Sequence, residues 1–401
     1  MSRKRMRPLS NQADFLTFLY VLVCILGFFQ LMIFPELSTF DVAFSSMLYF
    51  SICLIFLFLP VFSMKKTSFK GLMLPKNDLF SIFIFILIIG GMYSIVYFSY
   101  DAVEVLRGDI RETRNNIYIG EYQALDGSIF STIAVGFASF YSTMHFLAFL
   151  VLRLRIFGKN TNRVSMLMFF STFGYVTNVL AYAGRDGVIY WIMSIIFNYL
   201  LVKSLFGYSL PRKLKMLFIC ALLVLVIPFI AITVSRFGNE SFFYVFYYLS
   251  QQLPLFNDYF ILDAPLYSGS RNFSEILNLF SQGEFNYERQ FHYIYINNGI
   301  MPWGFATLIG SFYMDFGSFG TLPFCGLIGT SVLILLKRNI GLGALISFDF
   351  LFLYILHAQI LFMGIFYFRY ALSNNYLMVH ILLYVVFFLL RKNGMFKVYR
   401  V

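Results

Sequence analysis

Charged residues are scarce in this sequence. Asp, Glu, Lys and Arg make up 12% of its 401 residues, about half the share found in soluble domains. Hydrophobic residues account for 60% and aromatic residues for 21%. So little polar surface cannot coat a water-soluble fold, and that class is excluded. Also missing is the residue-by-residue alternation of apolar and polar side chains that a membrane barrel needs. Cysteine is rare: Cys24, Cys53, Cys220 and Cys325 all sit inside apolar runs. No CxxC spacing marks a zinc or redox motif, so they read as small hydrophobes in packed helices. There is no Walker sequence and no GxGxxG, and His, Cys and Asp never cluster as metal ligands do. No cofactor, metal or nucleic-acid partner is expected.

What the sequence has instead is continuous apolar runs of about 18–25 residues, the length a helix needs to cross a bilayer. The expected fold class is all-α: one polytopic integral membrane domain over residues 1–401. Ten spans are predicted, at roughly 15–34, 41–62, 79–100, 128–152, 164–183, 187–206, 216–234, 317–336, 341–363 and 374–390. The basic start "MSRKRMRPLS" precedes a run too long for a signal-peptide core, so the first span reads as uncleaved. Charge orients the bundle. Of the 30 basic residues, 22 fall in alternate connections, including all twelve lysines. By the positive-inside rule both termini are cytoplasmic.

The other face carries eight basic residues, every one an arginine: Arg107, Arg111, Arg114, Arg185, Arg236, Arg271, Arg289 and Arg369. Sixteen carboxylates accompany them. Lysine would serve equally well as solubilising charge. Arginine alone offers a rigid, permanently charged fork that grips phosphate through two parallel hydrogen bonds. Two outward loops are long. Residues 101–127 place Arg107, Arg111 and Arg114 on one face of a short helix, with interspersed carboxylates that also suit a salt-bridged surface. Residues 235–303 form the large outward loop, whose aromatic "SFFYVFYYLSQQLPLF" suits a helix lying in the headgroup region.

Between the fifth and sixth spans lies "LAYAGRDGVIYWI", residues 180–192. Its turn is so short that Arg185 and Asp186 are pinned at the outer membrane surface. An ionisable group in the bilayer costs about 2.5–3.5 kcal/mol on insertion scales, and such groups commonly mark function. The turn reads as a phosphate clamp; the alternative is an Arg–Asp pair snorkelling to the headgroups.

This turn, "VSRFGNE" at 234–240 and "LIGSFYMDFGSFG" at 308–320 resemble motifs of the Wzy-type oligosaccharide repeat-unit polymerases of O-antigen and capsule synthesis. The likeness runs from about residue 80 onward and includes the large outward loop before the last three spans. An Arg-x10-Gly pattern found in some members is absent here, so that pattern nominates no site. The resemblance implies a membrane glycosyltransferase in the bacterial inner membrane with a periplasmic active site. Its substrate would be an oligosaccharide on undecaprenyl pyrophosphate, passed to the acceptor hydroxyl of a second lipid-linked unit, amid membrane lipids and beside a separate chain-length regulator protein.

Such a reaction needs charge stabilisation on the leaving pyrophosphate and a positioned hydroxyl. Arg185 and Arg236 are the primary candidates for holding the phosphates, followed by Arg271, Arg289 and Arg369. Candidate bases are His292, Asp186, Glu288 and Asp315. His145, His357 and His380 lie within spans and read as buried, hydrogen-bonded residues, and Asp349 as a structural polar contact. The rival assignments are an O-antigen ligase, which differs in acceptor, and a lipid-linked oligosaccharide flippase. A flippase would be expected to show internal repeats, and none is seen.

Overall fold

A computed structural model describes residues 11–34, 40–64, 69–109, 112–113, 128–207, 209–210, 212–262, 267–278, 305–340, 345–369 and 374–400. In chain order its elements begin with α1 (Gln12–Ile33), α2 (Phe44–Ser63), β1 (Gly71–Pro75), α3 (Asn77–Arg107), α4 (Ile129–Ala138) and α5 (Tyr141–Leu154). Next come α6 (Thr161–Ser171), α7 (Phe173–Ala181), α8 (Asp186–Phe206), α9 (Arg212–Phe237), α10 (Ser241–Ser250) and α11 (Gln252–Ile261). The remainder is α12 (Ser270–Asn278), α13 (Thr307–Ile340), β2 (Leu345–Ser347), α14 (Phe348–Met363), α15 (Asn374–Lys392) and β3 (Phe396–Arg400).

Among the described residues, six helical stretches are long and apolar enough to cross a membrane: Gln12–Ile33, Phe44–Ser63, Asp78–Arg107, Gly158–Ala181, Asp186–Phe206 and Thr307–Lys337. The pair α4–α5, bent by 48°, can act as a seventh, broken span. The predicted runs at 216–234, 341–363 and 374–390 fall on α9, α14 and α15. The chain is thus a helical membrane protein of several passes. Two predicted spans are interrupted where the sequence reading drew one rod: at Ser139–Phe140 between α4 and α5, and at Thr172 between α6 and α7. The run at 341–363 also differs, since its described part opens as strand and leaves α14 only 16 residues.

The all-α expectation also missed a small sheet. Its order is β2-β1-β3. β1 runs parallel to β2, with Gly71 opposite Leu345, and antiparallel to β3, with Gly71 opposite Arg400. β1 and β3 fall in basic segments that charge assigned to one face, and β2 lies at the start of the run predicted as the ninth span. Nearby, Phe69 N–H donates to the Leu205 carbonyl at 3.3 Å and Arg153 Nε to the Phe206 carbonyl at 3.1 Å. A buried ion pair belongs to the same end, Arg391 Nε standing 3.1 Å from Asp349 Oδ2. The Arg391 guanidinium lies over the Phe350 and Phe388 rings, at 4.6 and 5.4 Å. Asp349 is therefore a structural contact.

The opposite end gathers the connections assigned to the arginine-bearing face. Asn257 Oδ1 accepts from Ala43 N–H at 2.9 Å, and Asp258 Oδ1 from Phe40 N–H at 3.2 Å, which fastens α11 to the start of α2. α10 lies against α1, with Phe243 edge-on to Phe34 at 5.6 Å. α13 is broken near this end. Gly317 has φ 61° and ψ −167°, a conformation open essentially to glycine alone. The Tyr49 hydroxyl donates to the Ser318 carbonyl at 2.5 Å and accepts from Leu322 N–H at 3.0 Å. It stands between two groups that an unbroken helix would pair with each other. Within a membrane such freed backbone groups must find partners in the protein, and Tyr49 supplies both.

The three predicted span histidines are buried. His145 Nδ1 pairs with Ser194 Oγ at 2.8 Å and His357 Nε2 with the Leu57 carbonyl at 2.8 Å, each between helices. His380 Nδ1 pairs with the Tyr376 carbonyl of its own helix at 2.8 Å, its ring stacked on Phe140 at 3.9 Å.

Candidate functional site

The turn that joins α7 to α8 is tight because of how it is built. Ala183 takes a positive φ of 52°, and Gly184 N–H closes the end of α7 on the Val179 carbonyl at 3.0 Å. A Cβ at Gly184 or Gly187 would stand 2.6 Å from Val179 side-chain atoms. Glycine at both positions lets the start of α8 press against the end of α7. Asp186 occupies the first turn of α8, where a negative charge meets the positive end of the helix dipole. Arg185 precedes it as the N-cap residue.

From this turn a closed circuit of contacts can be traced. Asp186 Oδ2 lies 3.2 Å from Arg369 Nη1, and the two side chains are 26% and 31% exposed. Both therefore still meet solvent at the end of the bundle. Arg369 donates from Nη1 to the Tyr367 hydroxyl. The Tyr367 ring stacks on Phe305 at 5.6 Å and 8°, and Phe305 packs on Tyr248 at 5.3 Å. Tyr248 returns the circuit to Arg185, whose guanidinium lies 4.9 Å from that ring and 4.8 Å from Phe237. A cation between two aromatic faces gains about 0.5–1 kcal/mol per face in exposed settings. Arg185 Nη1 also donates to Thr233 Oγ1 at 3.0 Å. Burial works against charge on Arg369, but Asp186 first, then Tyr367, Tyr175 and Tyr190, outweigh it and hold its guanidinium well above the usual arginine range. Arg369 stays cationic at any working pH.

A second cluster lies beside the first. Arg271 and Asn272 open α12 and are both buried. Asp315 Oδ1 accepts from Arg271 N–H at 3.1 Å, and its Oδ2 accepts from Asn272 N–H at 3.0 Å. Asp315 itself is only 1% exposed. Its carboxylate caps a helix and ties α12 to α13. Arg271 also meets the Tyr259 hydroxyl, whose pKa burial pushes up to about 12 against the opposing pull of Arg271. Ser311 links the two clusters: its carbonyl accepts from Asn272 Nδ2 at 2.6 Å, and its hydroxyl accepts from Phe368 N–H at 3.1 Å.

Among the predicted site residues, the structure brings together Arg185, Asp186 and Arg369. It places Arg271 and Asp315 in the neighbouring buried cluster. Arg236 lies in the last turn of α9, one residue before Phe237, which stacks on Arg185. Glu288, Arg289 and His292 lie outside the described residues, as do Arg111 and Arg114; Arg107 ends α3 and is exposed. Asp186 was expected as a base, and its carboxylate is engaged by Arg369. Sequence reasoning missed Thr233, Tyr248, Tyr367 and Tyr190. Only Tyr190 carried a legible signal, since it lies one helical turn below Asp186.

No family model, curated protein or solved structure matches this chain.

Proposed function

We propose that this protein is a polymerase that joins oligosaccharide repeat units carried on undecaprenyl pyrophosphate. In this reading the chain crosses a bacterial inner membrane ten times, both termini are cytoplasmic, and the Arg185–Asp186–Arg369 circuit faces the periplasm. The reading rests above all on one observation: at the end of the bundle where Asp186 and Arg369 remain partly exposed, the Asp186 carboxylate holds Arg369 while its sequence neighbour Arg185 lies between the Phe237 and Tyr248 rings. A lipid pyrophosphate presents its charge at that height, with its tail in hydrocarbon. Arg185 and Arg369 stabilise the charge that develops on the departing pyrophosphate. Asp186 holds Arg369 in place, and a separate chain-length regulator acts on the product.

The test is made in a polysaccharide-producing cell stripped of its own copy. Deletion is expected to leave single repeat units on the lipid core; a core bare of sugar would mark a ligase instead. Arg185→Ala, Arg236→Ala and Arg369→Ala should each slow extension by about 10²–10³-fold, the usual effect of losing one charge-stabilising donor. Arg185→Lys keeps the charge but loses the fork, and rescue should be partial at most. Normal polymer lengths from the Arg185 and Arg369 alanine variants, inserted at wild-type levels, would overturn the reading.

A further inference from the structure

Tyr367 is fixed through its backbone and through its ring. The segment that carries it is pinned to the start of α13. Leu308 N–H donates to the Gly364 carbonyl at 2.8 Å and Thr307 N–H to the Phe366 carbonyl at 2.7 Å. Phe368 N–H reaches the Ser311 hydroxyl at 3.1 Å, and a parallel β-bridge pairs Tyr367 itself with Thr307. The ring stacks on Phe305, which sets the direction in which the hydroxyl points. At its tip, one nitrogen has two partners. Arg369 Nη1 donates to the Tyr367 hydroxyl and stands 3.2 Å from Asp186 Oδ2. Phenol and carboxylate thus meet at a single atom. Tyr367 is only half-buried, and Asp186 and Arg369 are partly exposed beside it. Among the described residues, the other ionisable groups around this guanidinium are Tyr190 of α8 and Tyr175 of α7.

The two partners of Arg369 differ in what they offer. An ionised carboxylate can only accept hydrogen bonds, whereas a phenol that accepts from a guanidinium is itself a donor. Hydrogen bonds in a chain polarise one another, so a cation bonded to the phenolic oxygen strengthens its O–H as a donor. A strong neutral donor next to a cation is the pair of groups that a departing phosphate oxygen needs. We propose that Tyr367 is a catalytic residue whose hydroxyl donates a hydrogen bond to the phosphate oxygen that leaves the sugar. This role rests on the polymerase reading and adds a third group to Arg185 and Arg369. As the sugar–oxygen bond breaks, its electron pair passes to that phosphate oxygen. The acceptor oxygen takes over the sugar and releases its proton to water. Tyr367 keeps its own proton throughout, accepting from Arg369 and donating to the phosphate.

The assay is chain extension by the full-length protein in nanodiscs, supplied with lipid-linked repeat units extracted from a producing cell that lacks this gene. Tyr367→Phe keeps the ring and its stack on Phe305 but loses the hydroxyl. Its kcat should fall about a hundredfold, with KM within about threefold of wild type, the mark of an interaction made in the transition state. A second variant, Tyr367→difluorotyrosine, carries a phenol that ionises near neutral pH. Its activity relative to wild type should fall about tenfold or more as pH rises through that ionisation, because the donor proton is lost. A hydroxyl that only held Arg369 would grip it more firmly once ionised, and relative activity would not fall. A hydroxyl that took the acceptor's proton would gain activity instead. Wild-type protein that extends no units removes the polymerase reading, and this role with it. Extension by wild type together with a Tyr367→Phe rate within about threefold, or a difluorotyrosine protein whose relative activity is flat or rises with pH, overturns the role of Tyr367 alone.

Discussion

The Asp186–Arg369 pair holds the circuit closed, and its strength can be worked out and measured. At 3.2 Å two unit charges attract by about 5 kcal/mol at an effective dielectric near 20. That figure is gross. Both side chains retain about a quarter to a third of their exposure, so water screens them, and ordering two long side chains takes back more. A net coupling of about 1–2 kcal/mol remains, a factor of about 5–30 in the folding equilibrium. The perturbation is a double-mutant cycle of Asp186→Asn, Arg369→Gln and the double variant, unfolded reversibly in mixed micelles. Each single variant should lose stability, and the double variant should lose less than the sum. A coupling below about 0.5 kcal/mol, the scatter of independent sites, would refute the claim that these residues act as a unit.

Further outcomes are expected elsewhere. Tyr49→Phe leaves the Ser318 carbonyl and Leu322 N–H unbridged at the break in α13; it should cost about 1–3 kcal/mol and speed amide exchange at 318–322. Asp315→Asn weakens the cap of α12; a loss of about 1–2 kcal/mol should appear as faster proteolysis within 267–278. Asp349→Asn removes the sealed carboxylate that Arg391 meets and should destabilise by about 3–5 kcal/mol, while replacing both by apolar residues should cost far less. Thermal unfolding of the three variants in one detergent orders these effects.

The helices were legible because membrane solvation demands long apolar runs, and each predicted run proved to contain helix. The breaks were not, because Ser139, Phe140 and Thr172 are residues that a continuous helix also tolerates. The sheet escaped notice since its strands are short, two in basic segments and one at the head of an apolar run, and pairing between segments so far apart leaves no local pattern. For the site, Arg185 and Asp186 stood out as charge amid hydrocarbon. Arg369 was recognised as a surface arginine, but its meeting with Asp186 depends on how α14 and α8 pack. Nothing in the sequence told these two carboxylates apart: Asp315 and Asp186 both sit near glycines and aromatics, and only the structure shows one accepting backbone amides from Arg271 and Asn272 and the other paired with Arg369. The polar residues of α8 at Asp186, Tyr190, Ser194 and Asn198 were readable in principle, since they recur at every fourth position.

The small sheet at the other end has a bearing on synthesis. β1 emerges and inserts early, yet both of its hydrogen-bonding partners, β2 and β3, are made only after α13 and α15 respectively. β1 therefore has two open edges until residues 345–347 are made and one until residues 396–400 follow, and pairing of such distant segments is entropically slow. A ribosome that stalls before residues 396–400 would leave a protein whose spans are in place but whose sheet lacks its third strand, a defect that a membrane protease could recognise without inspecting the site at all.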